Sequence, residues 1–490
     1  MTSIQPTKEQ MDFCQQVWDG KPCWLSARAG TGKTSTIKLV FDLAPKKQDC
    51  TVIAFNKKNQ EDLAKALGLE VKVATLHSLG YAALRSYLSG LALQSSKLFE
   101  LTKAVGIPGR KTPKRFSDTM KLVNCAKNWG VVPARKLLGK GLLPDTPETW
   151  LALQDHFELY EADLETSREI LIQSNEEFFK SKTLDFDDMV YLPVALGLQV
   201  FSSEKLIVDE AQDLSPLNIK MLKRSPSKIW YVGDPYQCIY SWRGAAQEAL
   251  EDLALPELPL TTCWRCASEV VKQAQHWVPD IKARPGAPQG LVKTYTWMPD
   301  WAKQPAGTIL SRNNAALIKI ALALKDSQQP VYILGKDLAR TLLDILDSLK
   351  GQTRSALLDS LKTWFYKMVE KYPHRELEFK DLSRCLKVLI SQNHGKSGIS
   401  KMVSQLFSDS EVPGAWTLST IHKAKGREWP TVWVLDWTSR GMQTWQQIED
   451  RNLRYVAATR AKENLFYIPE YLWDIPEAQT QDWKGLKWLG

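Results

Sequence analysis

Residues 23–40 read CWLSARAGTGKTSTIKLV: an apolar run, a turn of small residues and a helix-forming run in immediate succession. No other stretch constrains the chain as tightly. Gly30 and Gly32 allow backbone N–H groups to approach an anion closely, and the helix that follows presents its positive end to the same point. Lys33 then suits the β- and γ-phosphates of a nucleotide and the Thr34 hydroxyl suits Mg2+, with Ala29, Thr31 and Ser35 completing the loop. The strict pattern begins with Gly where this chain has Ala27.

A phosphate loop needs a strand before it and a helix after it, and that alternation recurs. Short β-type runs stand at Cys23–Ser26, Thr51–Phe55, Val71–Leu76, Leu206–Val208 and Ile229–Val232. A second set follows at Thr308–Leu310, Val331–Leu334, Trp416–Ile421, Thr431–Leu435 and Leu465–Ile468. Strands alternating with helices predict an α/β protein with two parallel-sheet domains, and 490 residues exceed what one core accommodates. Residues 86–183 and 336–413 break the alternation with helical periodicity and predict a mostly helical insertion in each half. The domains expected are 1–85 with 184–260, and 261–335 with 414–490.

Downstream, KLIVDEAQD is an apolar run ending in adjacent acids. Asp209 at the strand end suits Mg2+, directly or through water, and Glu210 suits the orientation and deprotonation of an attacking water. Paired with the phosphate loop, the glutamate favours hydrolysis over binding alone. The formal net charge of +9 permits a polyanion partner without requiring one. Only Cys263 and Cys266 among eight cysteines have CxxC spacing, too few ligands for a zinc or iron–sulfur site. No apolar run is long enough for a membrane span and MTSIQPTKEQMDF lacks a signal-peptide pattern, so the cytoplasm is the expected compartment and no membrane the expected partner.

The order AGTGKT, DEAQD, GDPYQCIYSWRGA, STIHKAKGREWP and YVAATRA resembles the superfamily 1 helicases of the UvrD/Rep type over nearly the whole chain. AFNKKNQEDL and VATLHSLGYAALR are similar to the F-box-helicase branch and compact phage or bacterial relatives. The resemblance implies two RecA-like domains with ATP in the cleft between them, each interrupted by an insertion. It matches Gln10 to adenine recognition, Gln237 to a reporter of the γ-phosphate, and Arg265 and Arg460 to the arginines that meet that phosphate. Arg243 helps hold the same network, and Glu428 matches a ribose contact. Trp264 replaces the family's usual tyrosine and still stacks on adenine. Ser35 stands where many members carry an arginine against the base, a change that relaxes discrimination among purines.

Single-strand binding without sequence preference needs a basic groove and aromatic platforms, since every base has a stackable face. In the family Phe55, Asn56, Lys57, Thr75, His77, Phe186, Tyr240, Trp242 and His422 match residues that line the strand. Lysines and arginines of KTPKRF and PARKLLGKG make the first insertion locally basic, and Tyr471 or Trp473 is a candidate wedge. The implied partners are single-stranded DNA and its junctions with duplex, and the implied movement is 3′ to 5′, in the nucleoid of a bacterial or phage-infected cell. The leading reading is an ATP-dependent DNA helicase with Mg2+ as cofactor. A translocase that strips bound proteins with little unwinding, and a nucleotide-gated binding protein without turnover, remain alternatives. The biological pathway and protein partners are left unassigned.

Overall fold

A computed structural model describes residues 5–44, 49–105, 113–133, 142–157, 159–239, 253–371, 376–392, 395–438 and 444–473. The chain divides into two compact units, Met1–Thr261 with Glu370–His374, and Thr262–Val369 with Arg375–Gly490.

The first unit is built on a six-stranded parallel sheet in the order β3-β2-β6-β7-β1-β8. Its strands are β1 (Trp24–Ala27), β2 (Cys50–Ala54), β3 (Lys72–Thr75), β6 (Lys205–Val208), β7 (Lys228–Gly233) and β8 (Glu257–Leu260). Strands buried on both faces read as continuous apolar runs. In β2, Val52 packs with Phe13, Val17, Leu25 and Trp230 on one side, while Ile53 joins Leu206, Val208 and Tyr231 on the other.

That second core continues into Leu122, Trp150, Ile170, Leu171 and Phe178 of the helices Pro113–Asn128, Pro147–His156 and Leu164–Lys180. A short parallel pair, β4 (Ala92–Leu93) and β5 (Thr183–Leu184), brackets this helical region. The helices start where the sequence supplies caps: Thr7 and Thr75 form capping boxes, and Asn56 and Asp163 accept from the N–H three residues on. At the other end of the unit, Glu9 accepts from both the backbone N–H and the hydroxyl of Thr261, at 3.0 and 2.8 Å.

The second unit has a seven-stranded parallel sheet in the order β11-β17-β16-β12-β15-β13-β14. These are β11 (Leu291–Thr294), β12 (Thr308–Ser311), β13 (Val331–Leu334), β14 (Phe407–Ser408), β15 (Trp416–Thr420), β16 (Trp429–Leu435) and β17 (Ala461–Ile468). A separate two-stranded piece pairs β9 (Thr262–Cys263) with β10 (Lys282–Ala283). Between β13 and β14 the chain forms the helices Lys336–Ser348, Arg354–Lys371, Glu376–Ser391 and Gly395–Leu406.

The ten strands expected from the sequence are present, with ends shifted by a few residues. Among the described residues seven more, β4, β5, β8, β9, β10, β11 and β14, lie outside the expected runs. The alternation expected of two parallel sheets is therefore the observed architecture, with β8, β11 and β14 added at the sheet edges and β4–β5 and β9–β10 as separate pairs. β8 carries Pro259, which suits an edge because proline cannot donate to a ladder.

Candidate nucleotide and strand sites

In the first unit the phosphate loop joins β1 to the helix Lys33–Asp42. Gly30 and Gly32 hold left-handed φ values of 69° and 90°, and Gly32 is the N-cap of that helix. A side chain at position 32 would meet Gln10 Nε2 at 3.3 Å, so the loop and Gln10 are close neighbours. Gln10 Nε2 donates to Thr36 Oγ1 at 3.2 Å and its Oε1 accepts from the Thr7 N–H at 2.9 Å. Thr31 folds inward and donates to the Arg28 carbonyl, whereas Thr34 and Ser35 are exposed. The glycine cradle, the exposed Thr34 hydroxyl and the Asp209 carboxylate at the end of β6 form a donor set that fits a nucleotide phosphate with Mg2+, a hard cation that takes oxygen ligands.

A line of polar contacts runs from this loop to the end of β7. Lys33 Nζ lies 3.5 Å from Glu210 Oε1. Gln212 Nε2 donates to the other Glu210 oxygen, and Gln212 Oε1 accepts from the Asp234 N–H at 3.0 Å. Asp234 Oδ2 in turn accepts from Gln237 Nε2 at 2.7 Å. Burial pushes the Asp234 carboxyl above the usual carboxylate range, against the opposing pull of Lys33. Gly233 makes room for this line, because a Cβ there would fall 2.2 Å from Gln212 Oε1. Glu210 has φ 52° and ψ 40°, a left-handed conformation uncommon for a residue with a side chain and costing on the order of 1 kcal/mol.

On the neighbouring strand ends, Phe55 is half-buried, Asn56 caps the helix Lys57–Leu67 and Thr75 caps the helix Leu76–Tyr87. His77 and Phe186 stack with ring centroids 4.1 Å apart and planes at 22°. Phe186 is 58% exposed, so its ring is open to solvent beside His77. A cavity of about 30 Å³ is lined by Phe55, His77 and Asp209 among others. Tyr240, Trp242 and Arg243, with Lys111, Arg135, Lys136 and Lys140 of the two basic segments, lie outside the described residues.

In the second unit Arg265 Nε pairs with Glu428, Lys462 Nζ lies 2.9 Å from the same carboxylate, and Arg265 Nη1 donates to the Thr459 carbonyl at 3.3 Å. Burial disfavours charge on Glu428, but Arg265 and Lys462 outweigh it and hold the carboxyl below its ordinary range. Arg460 is buried, donating from Nε to Val456 O at 2.9 Å and from Nη1 to Arg427 O at 3.1 Å. Trp264 is exposed, and His422 is half-buried on the short helix Ile421–Ala424. Cys263 and Cys266 flank Arg265, both buried; their mutual hydrogen bond lowers the Cys263 thiol and raises that of Cys266. Tyr471 is exposed and Trp473 buried, with its Nε1 donating to the Asp436 carbonyl.

The family model described as "UvrD/REP helicase N-terminal domain" matches residues 7–255, and that for the "UvrD-like helicase C-terminal domain" matches residues 341–470. The chain belongs to the UvrD/Rep helicase family. It is 26% identical to F-box DNA helicase protein 1 of Schizosaccharomyces pombe, over 94% of this chain and 57% of that protein. It is 30% identical to the ATP-dependent DNA helicase Rep of Buchnera aphidicola subsp. Baizongia pistaciae, over 47% of this chain and 36% of that one. A solved arterivirus nonstructural protein 10 helicase aligns over 95% of this chain and 64% of its own, at 12% identity and TM-score 0.36. The chain spans about half the length of the F-box helicases it matches, 57% of the yeast protein and 49% of that of Gallus gallus.

Within this UvrD/Rep family member, several site features carry no local sequence signal. Arg28 is buried in the loop, donating to Ser26 Oγ at 2.9 Å with its guanidinium 5.0 Å from the Tyr236 ring centroid. Gln212 follows the acid pair at a position where any polar residue would read as loop. The DEAQD segment could have flagged it only through its fixed two-residue offset from Glu210. Among the described residues no helix is long and apolar enough to cross a membrane.

Proposed function

We propose that this chain is an ATP-dependent DNA helicase that moves along single-stranded DNA from 3′ to 5′ and separates strands as it goes. The observation that carries the reading is the unbroken polar line Lys33–Glu210–Gln212–Asp234–Gln237, which links the phosphate loop to the strand end preceding YSWRGA. A motor needs such a connection, because occupancy of one site must change the geometry of another.

The assignments are these. Lys33 and the loop N–H groups bind the phosphates, Gln10 and Trp264 the adenine, Glu428 the ribose, and Thr34 with Asp209 the Mg2+. Bound ATP–Mg2+ supplies the phosphoryl group that is transferred to water. Glu210 orients that water and accepts its proton, Gln237 senses the γ-phosphate, and Arg265 and Arg460 offset its developing negative charge. Phe55, Asn56, Thr75, His77, Phe186 and His422, with Tyr240 and Trp242, hold the strand. The same reading treats 86–183 and 336–413 as insertions in two RecA-like domains, and single-strand/duplex junctions in the nucleoid as the working substrate.

The test compares ATP hydrolysis with single-stranded DNA, duplex DNA, RNA or no polynucleotide at stated salt, beside displacement of a strand from 3′- and 5′-tailed duplexes. Stimulation by single strands and unwinding of the 3′-tailed duplex alone are expected. Hydrolysis indifferent to every polynucleotide would overturn the reading. Displacement of streptavidin from a biotinylated strand without unwinding would replace it with a protein-stripping translocase.

A further inference from the structure

A set of buried charges lies beside Phe186, outside the residues assigned above to the nucleotide. Lys127 Nζ is 2.7 Å from Asp185 Oδ2 and 2.8 Å from Asp188 Oδ1, and Lys97 Nζ is 2.7 Å from Asp188 Oδ2. The two lysines come from the helices Lys97–Ala104 and Pro113–Asn128, and the aspartates flank Phe186 in LDFDDM. The Asp188 N–H donates to Asp185 Oδ1 at 2.8 Å, and the Asp185 N–H donates back to Asp188 Oδ2 at 3.0 Å. Phe186 thus sits on a turn whose two ends are tied to each other and then to two helices. Burial works against the charge on Lys127, but Asp185 and Asp188 outweigh it and hold its amino group above the usual lysine range.

Buried ion pairs are poor sources of stability, since apolar residues of similar volume usually serve as well or better. Lys97, Lys127 and Asp188 are at most 2% exposed, and both lysines spend their charge on these aspartates instead of on a phosphate. What such a lattice provides that a greasy contact does not is fixed geometry: several charge-assisted bonds of definite length and direction. The residue whose geometry it fixes is the exposed ring that lies 4.1 Å from His77.

We propose that Lys97, Lys127, Asp185 and Asp188 are positioning residues for single-strand binding, fixing the turn that holds Phe186 parallel to His77 as a stacking platform. The proposal rests on the strand-binding reading of Phe186 given above. The helices between β4 and β5 therefore contribute to strand binding from inside, through a pair of lysines that never meet the DNA.

The experiment measures ATP hydrolysis against oligothymidylate concentration for four proteins: Phe186→Ala, Lys127→Met, the charge-balanced pair Lys127→Met/Asp185→Asn, and Lys127→Met combined with Phe186→Ala. Loss of one stacked base raises the half-saturating concentration about tenfold, and each single variant and the balanced pair are expected to do so. Hydrolysis without DNA and the rate at saturating DNA should stay within about twofold for the lysine variants, and Lys127→Met should add less than about twofold on the Phe186→Ala background. A full additional loss on that background would overturn the proposal. So would wild-type half-saturation in both lysine variants, or failure of the charge-balanced pair to fold, which would make the lattice a matter of stability alone. An unchanged half-saturation in Phe186→Ala instead sinks the platform reading itself, a result distinguishable from the others.

Discussion

Glu210 concentrates two demands in one residue: a left-handed backbone and a carboxylate held between Lys33 and Gln212. Glu210→Gln keeps the shape and can still bond Gln212, but it cannot take a proton. Nucleotide affinity should persist while turnover at saturating ATP falls about 10²–10⁴-fold, the usual range for a general base. Equilibrium nucleotide binding beside steady-state phosphate release checks this, and turnover within a few-fold of wild type would show that the base lies elsewhere.

Asp187 offers a second test at this scale. Burial, with Asp185 and Asp188 nearby, raises its carboxyl from 3.8 to about 6, against Lys127 and a hydrogen bond with Asn128. The folded protein therefore holds this proton more tightly than the unfolded chain. The associated stability is complete below pH 3.8 and is lost as pH rises through about 6. Asp187→Asn should accordingly stabilise the protein at pH 7.5, by up to about 3 kcal/mol, and much less at pH 4.5. Thermal unfolding of both proteins at the two pH values decides it; an equal shift at both would refute the titration.

Among the elements, the packing of the helix Leu76–Tyr87 on the helix Asp188–Ala195 depends on Gly80. A Cβ at that position would lie 1.9 Å from the Met189 carbonyl oxygen. Alanine in place of a mid-helix glycine ordinarily stabilises by up to about 1 kcal/mol. Here the clash with backbone dominates, and Gly80→Ala should lower stability by about 2–4 kcal/mol. Because this contact lies directly behind His77 in one helix and Phe186 before the other, the same variant should weaken single-strand affinity. Thermal unfolding and oligothymidylate titration measure the two effects.

The elements also show what the amino-acid order discloses. β1, β2, β6 and β7 stand out as apolar runs because both faces are covered, and the phosphate loop stands out because its turn and helix are contiguous. β11 has mostly exposed side chains and β8 carries a proline, so neither has the pattern of a buried strand. Gln212 reaching Asp234, and Lys97 reaching Asp188 across 91 positions, are products of the fold; no local spacing announces them. Phe186 was legible as an aromatic in a motif, but its partnership with His77 was not.

For the whole molecule, the net charge of +9 is modest, so attraction to nucleic acid must come from where the charges lie. Each strand phosphate neutralised contributes about −0.7 to the slope of log affinity against log salt for a single strand. A strand-tracking motor that engages three or more phosphates should show a slope steeper than about −2. Hydrolysis without DNA should change little over the same range. A slope near zero would mean that stacking alone holds the strand.

The paired grip of Glu9 on Thr261 fastens the end of β8 to the N-terminal helix Lys8–Trp18. Thr261 is the last residue before the chain leaves its first unit, and Glu9 precedes Gln10 on the helix that leans on the phosphate loop. Glu9 and Gln10, adjacent on one helix, thus tie the end of β8 and the helix after the loop to the same N-terminal turn.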